Sequence, residues 1–142
     1  MIIRGTTPYH GFILPILVED VEVIWVTYCQ NERIVIEKDW TIDSTDERIS
    51  FEDLTDLYEN ASMEQLTEEE QHSSQLTIHL SQEDTLGFTF FPAARKNIAV
   101  IEMRVLTTDG EAYAIEPIKE RIFGVRRDGV ISNESEQENE QP

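Results

Sequence analysis

Apolar residues recur at every second position along most of this chain, which is the period of a pleated strand with one buried face. His10, Phe12, Leu14 and Ile16 share one side of a run bracketed by Pro8 and Pro15. Pro15 places that run at a strand end or an edge, because it has no N–H to give to a ladder. Val21 to Cys29 is rich in β-branched and aromatic residues, and Gln30-Asn31-Glu32 turns it back into a partner strand, Arg33 to Glu37. Leu76-Thr77-Ile78-His79-Leu80 alternates cleanly. Ile98 to Thr107 is the best long strand, with Ala99, Ile101, Met103 and Val105 facing one way. Asp109-Gly110 then predicts a type I′ hairpin, a turn that needs positive φ. The return strand runs from Glu111 to about Val125, and Pro117 within it marks an edge, a bulge or a crossing between sheets.

The stretch from Thr41 to Ser74 breaks this rhythm. Ser50 with Asp53 is a candidate cap for a short helix whose Phe51, Leu54 and Tyr58 would share a face. Thr67 followed by Glu70 is a second capping signal, and Ser81 with Asp84 a third, before one helical turn toward Leu86 and Phe88. Residues 43–75 therefore read as an acidic, partly helical insertion over one end of the sheets, with a disordered excursion as the alternative. Residues 128–142 read as a disordered acidic tail. What remains, residues 1–127, is a single all-β domain. About seven short strands with regular turn signals predict an antiparallel, immunoglobulin-like β-sandwich, with a small barrel as the alternative.

Charge changes this picture only locally. The net charge is −18 over 142 residues. Residues 43–70 hold 11 acids and one base, Arg48, and residues 128–142 hold 5 acids and none. The rest of the chain is nearly balanced. Nucleic acid and anionic membrane both reward clustered Lys and Arg, so neither is an expected partner. No run approaches the ~18 apolar residues of a membrane span. The start, Met1-Ile2-Ile3-Arg4-Gly5, lacks the basic and apolar regions of a secretory signal, so the expected site of synthesis is the cytoplasm.

Candidate chemistry is sparse. His10, His72 and His79 form no HxxxH, HExxH or HxH pattern, and the single Cys29 provides neither a disulfide framework nor a thiolate cluster for zinc. Asp43 to Arg48 lacks the glycine and the twelfth-position acid of a calcium loop. Glu83 and Asp84 are accounted for by capping. No catalytic residue, cofactor or metal site is expected. Trp25 is different: if Ile24, Val26 and Tyr28 face the core, Trp25 and Cys29 point outward with Thr27 between them. An outward indole in a central strand is a candidate partner anchor. Trp25, Thr27 and Trp40 are the candidate partner-binding residues, and Phe90 and Phe91 share the ambiguity between surface and core.

Four segments carry a resemblance: Arg4-Gly5-Thr6-Thr7-Pro8, Val26-Thr27-Tyr28-Cys29-Gln30-Asn31, Leu80-Ser81-Gln82-Glu83-Asp84-Thr85, and Arg104 to Ala112. In these the chain resembles a group of small proteins encoded among tail and baseplate genes in prophages of Gram-positive bacteria. It is similar to the β-sandwich module at the N-terminus of phage upper-baseplate proteins. The 43–75 segment and the closing Arg121 to Arg127 depart from that pattern. The resemblance implies a virion-associated structural protein, with no catalytic residues to carry over and with other phage structural proteins, or a second copy, as partners. Two other classes compete. A small acidic inhibitor mimicking DNA charge would need rigidly spaced acids, and a carbohydrate-binding sandwich would need exposed aromatics such as Trp25 and Trp40.

Overall fold

The computed structural model describes residues 1–58, 66–92 and 97–132. Its strands are β1 (Ile2–Ile3), β2 (Tyr9–Leu14), β3 (Val21–Gln30), β4 (Arg33–Thr41), β5 (Ile49–Asp53), β6 (Ser74–His79), β7 (Ile98–Thr107) and β8 (Ala112–Phe123). Among the described residues there are also two short α-helices, α1 (Leu54–Leu57) and α2 (Gln82–Leu86), and 3-10 turns at Val18–Asp20 and Glu70–His72. One sheet has the order β1-β8-β7-β3-β4 and the other β2-β6-β5. The chain is thus mostly β in two sheets. Among the described residues the strands number eight, the two-residue β1 included, against the seven or so predicted. All pairings are antiparallel except β1 with β8, which is parallel. Among the described residues no helix is long and apolar enough to cross a membrane.

Strict alternation sets which face each strand buries. Ile24, Val26 and Tyr28 of β3 have no exposed surface, and Ala99, Ile101, Met103 and Val105 of β7 lie beside them. Leu76 and Ile78 of β6, Ile49 and Phe51 of β5 and Leu14 of β2 belong to the same core cluster, so both sheets share one core. Aromatic rings lock this interior together: Trp40 meets Phe51 edge-on at 5.0 Å and Tyr28 meets Phe88 at 6.3 Å. Each such pair adds about 0.5–1.5 kcal/mol beyond the area it buries.

The turns follow their chemistry. Asn31 and Glu32 both take positive φ, 53° and 64°, the requirement of a two-residue type I′ hairpin between β3 and β4. The β7–β8 turn differs from the expectation. Only Gly110 has positive φ, Gly110 N–H bonds to Thr107 O at 3.1 Å, and Thr107 N–H bonds to Glu111 O at 2.8 Å. That is a three-residue loop with a glycine bulge, not a type I′ turn. The Thr107 side chain, which accepts from Glu111 N–H at 3.1 Å, favours the wider form. Pro117 sits where β8 fits three steps, Ile115 to Ile118, against two of β7, Ile101 to Met103. The proline marks a bulge, one of the three expected options.

Residues 43–75 are not simply an insertion. They contribute β5, whose Ile49 and Phe51 enter the core and whose backbone pairs with β6. Ser50 lies inside that strand and caps nothing. The Asp53 carboxylate binds Val18 N–H at 2.8 Å and the Ser74 hydroxyl at 2.7 Å instead of capping α1. The signals at Thr67 and Ser81 do act as caps. Glu70 N–H donates to Thr67 Oγ1, and Ser81 with Asp84 closes a reciprocal capping box on α2. Asp128 and Ile131, both within the expected 128–142 tail, contact the domain. Asp128 pairs with Arg4, and Ile131 exchanges two hydrogen bonds with the Gln82 amide. Expectations about 59–65 and 133–142 fall outside the described residues.

Candidate functional site

The open face of the five-stranded sheet is built by the residues that alternate with the core. Because Ile24, Val26 and Tyr28 point inward, Trp25, Thr27 and Cys29 point outward. On β7 the outward set is Val100, Glu102, Arg104 and Leu106, and on β4 it includes Glu37 and Asp39. Cross-strand register arranges these side chains in rows. Asp39, Trp25, Arg104 and Ala114 stand opposite one another across β4, β3, β7 and β8. The next row toward the β3–β4 hairpin is Glu37, Thr27 and Glu102; the row on the other side is Thr41, Val23, Leu106 and Ala112.

Trp25 is 55% exposed at the middle of this face. The Arg104 guanidinium lies 5.5 Å from its ring centroid, a cation–π contact of about 0.5–1 kcal/mol at an exposed site. On one side of the indole is an apolar hollow of about 190 Å³, lined by Val23, Trp25, Arg104, Val105, Leu106 and Ala112. On the other is a larger trough of about 420 Å³ whose polar lining includes Thr27, Glu37, Lys38 and Asp39. Trp25 therefore forms a ridge between an apolar hollow and a more polar trough. Burying such an indole removes a large apolar area from water, the usual basis of a binding hot spot.

Of the three residues singled out in the sequence, the structure brings Trp25 and Thr27 together on this face. Trp40 is not with them. It lies on the opposite face of β4, 6% exposed and packed on Phe51, so no partner reaches it without opening the core. Phe90 is half-buried against the core, and Phe91 is exposed on the loop beyond it. Asp39 and Arg104 were not singled out, although both flank Trp25. Their places depend on register, which alternation within one strand does not reveal.

Several other titratable groups have structural partners. His10 Nδ1 lies 2.7 Å from the Tyr28 hydroxyl, while its Nε2 is buried without a hydrogen-bond partner among the described residues. Burial lowers the His10 pKa, and the N-terminal ammonium acts in the same direction against the pull of Glu120. Burial also pushes the Tyr28 phenol far above its usual value. His79 stacks on Tyr9 at 3.9 Å, on the outer side of β6 as its alternation with Ile78 predicts. Lys38 turns inward and pairs with Asp84 at 3.1 Å. Burial raises the Asp84 pKa, but the Ser81 backbone N–H, Lys38 and the Ser81 hydroxyl outweigh it and the net direction is down. Among the described residues no three His, Cys, Asp or Glu side chains are grouped to hold a metal ion. No protein-family model matches the chain, and no curated protein matches it either.

Proposed function

We propose that this chain is a non-catalytic docking module of a phage tail or baseplate, an immunoglobulin-like β-sandwich that binds neighbouring subunits through the open face of its five-stranded sheet. The observation that carries the reading is the half-exposed Trp25 ridge beside its apolar hollow, a surface made for burying an aliphatic or aromatic partner group. The strand order supports the fold assignment. β8-β7-β3-β4 follows the G-F-C-C′ order of an immunoglobulin variable-type domain, and β2-β6-β5 follows its B-E-D order. The tail and baseplate setting rests on the sequence resemblance at residues 4–8, 26–31, 80–85 and 104–112.

The test is co-expression with the tail and baseplate gene products encoded beside it, followed by affinity capture. Wild-type protein co-purifies with at least one of them, and Trp25→Ala loses the interaction while keeping its circular dichroism spectrum. Capture that is indifferent to both Trp25→Ala and Trp25→Arg would overturn the assignment of the face.

A further inference from the structure

We infer that the Trp25 face pairs with a second copy of this chain, about a two-fold axis running along β3. The inference rests on the docking face proposed above and names its occupant. An isologous interface requires each surface group to meet a complementary group of the same surface. A two-fold axis lying in the interface along β3 brings the β4 side of one copy over the β7 side of the other. The central row then matches itself: Asp39 of each copy faces Arg104 of the other, and the two Trp25 side chains meet at the centre. An axis perpendicular to the strands would instead set Asp39 on Asp39 and Arg104 on Arg104. The arrangement of charge along this single row selects one symmetry and rejects the other.

Three further features fit. Arg104 is held over the Trp25 ring, so its charge stays on the face. The apolar hollow of about 190 Å³ beside each Trp25 offers room for the indole of the second copy. The central row is also where twisted sheets stay in register best, since the rotation between strands accumulates away from the axis. The adjacent row sets a limit. Glu37 of one copy meets Glu102 of the other, so like charges oppose the complementary centre. A small apolar centre with one repulsive row makes a reversible dimer, with dissociation in the micromolar range or weaker.

Sedimentation equilibrium of the full chain, from micromolar to millimolar concentration, tests this. Wild type shows a monomer–dimer equilibrium. Arg104→Asp alone and Asp39→Arg alone each weaken it at least tenfold, the doubly substituted chain recovers it, and Glu102→Gln strengthens it. A monomer at all concentrations, or a dimer whose two charge reversals fail to compensate, overturns the inference. Both reversals sit on exposed positions, and circular dichroism verifies that each variant folds. The outcome separates from the docking reading as a whole. A monomer that still co-assembles with tail subunits through Trp25 removes only the second copy as occupant. A dimer that captures no tail subunit removes only the heterologous role.

Discussion

Two tryptophans on neighbouring strands have opposite roles because they point to opposite faces. Trp25→Ala should change stability by only about 0.5 kcal/mol, as surface substitutions do, whereas Trp40→Ala should cost about 3–5 kcal/mol by emptying a core site. Urea midpoints of the two variants check this directly. The orientation of Trp25 was legible, since three inward neighbours in alternation leave it one direction to point. That of Trp40 was not, because the polar pair Lys38-Asp39 disguises the continuation of β4 beyond Glu37. His10 makes a prediction about pH. Its ring bridges the sheets by stacking on Tyr28 at 5.7 Å, and the imidazolium would carry an Nε2–H buried without an acceptor among the described residues. Because its folded pKa lies below the usual 6.5, the unfolded chain takes up the proton first as pH falls. The stability contributed by neutral His10 is therefore present above about pH 6.5 and lost as pH drops through the folded value. Denaturant midpoints measured between pH 7.5 and 5 should fall for the wild type. His10→Gln, which keeps a neutral hydrogen-bonding group, should flatten that slope.

Register decides more than strand position does. Gln30 pairs with Arg33 and Cys29 with Ile34, but Tyr28 pairs with Ile36, so Val35 is an extra residue in β4. Without that bulge Lys38, not Asp39, would stand opposite Trp25. With it, Lys38 is sent inward to Asp84 and the acid is delivered to the open face. Strand existence was readable because period-two patterning is local, whereas a bulge reflects a compromise between two strands and the core beneath them. The misreading of β5 has a similar origin: Ser50, Glu52 and Asp53 mimic a helix start, and burial of Ile49 and Phe51 against β6 overrides them. Two substitutions probe element-level chemistry. Ser81→Ala should cost about 1 kcal/mol by opening the α2 capping box. Glu32→Gly should stabilise the β3–β4 hairpin by up to about 1 kcal/mol, since glycine is at home at positive φ. Thermal melts resolve shifts of this size.

At the scale of the whole molecule, Arg4 is a side-chain tie between an early segment and two later ones. Its guanidinium donates to Phe88 O at 2.7 Å and Leu86 O at 3.1 Å and pairs with Asp128. Arg4→Ala should lower stability by about 2–3 kcal/mol, and Arg4→Lys should not restore it, because one ammonium cannot span three acceptors on two segments. Chemical denaturation of both variants settles the comparison. The sequence total of −18 conveyed little of this, because the organising contacts are few, specific and distant along the chain. The parallel pairing of Ile2 and Ile3 with Ile122 and Phe123 has a consequence in time. It closes a very long loop, and that loss of entropy is recovered only after the intervening strands have assembled. During synthesis β1 must wait, unpaired, until almost the last residue of β8 has left the ribosome, so an earlier strand takes its place only after a much later one exists.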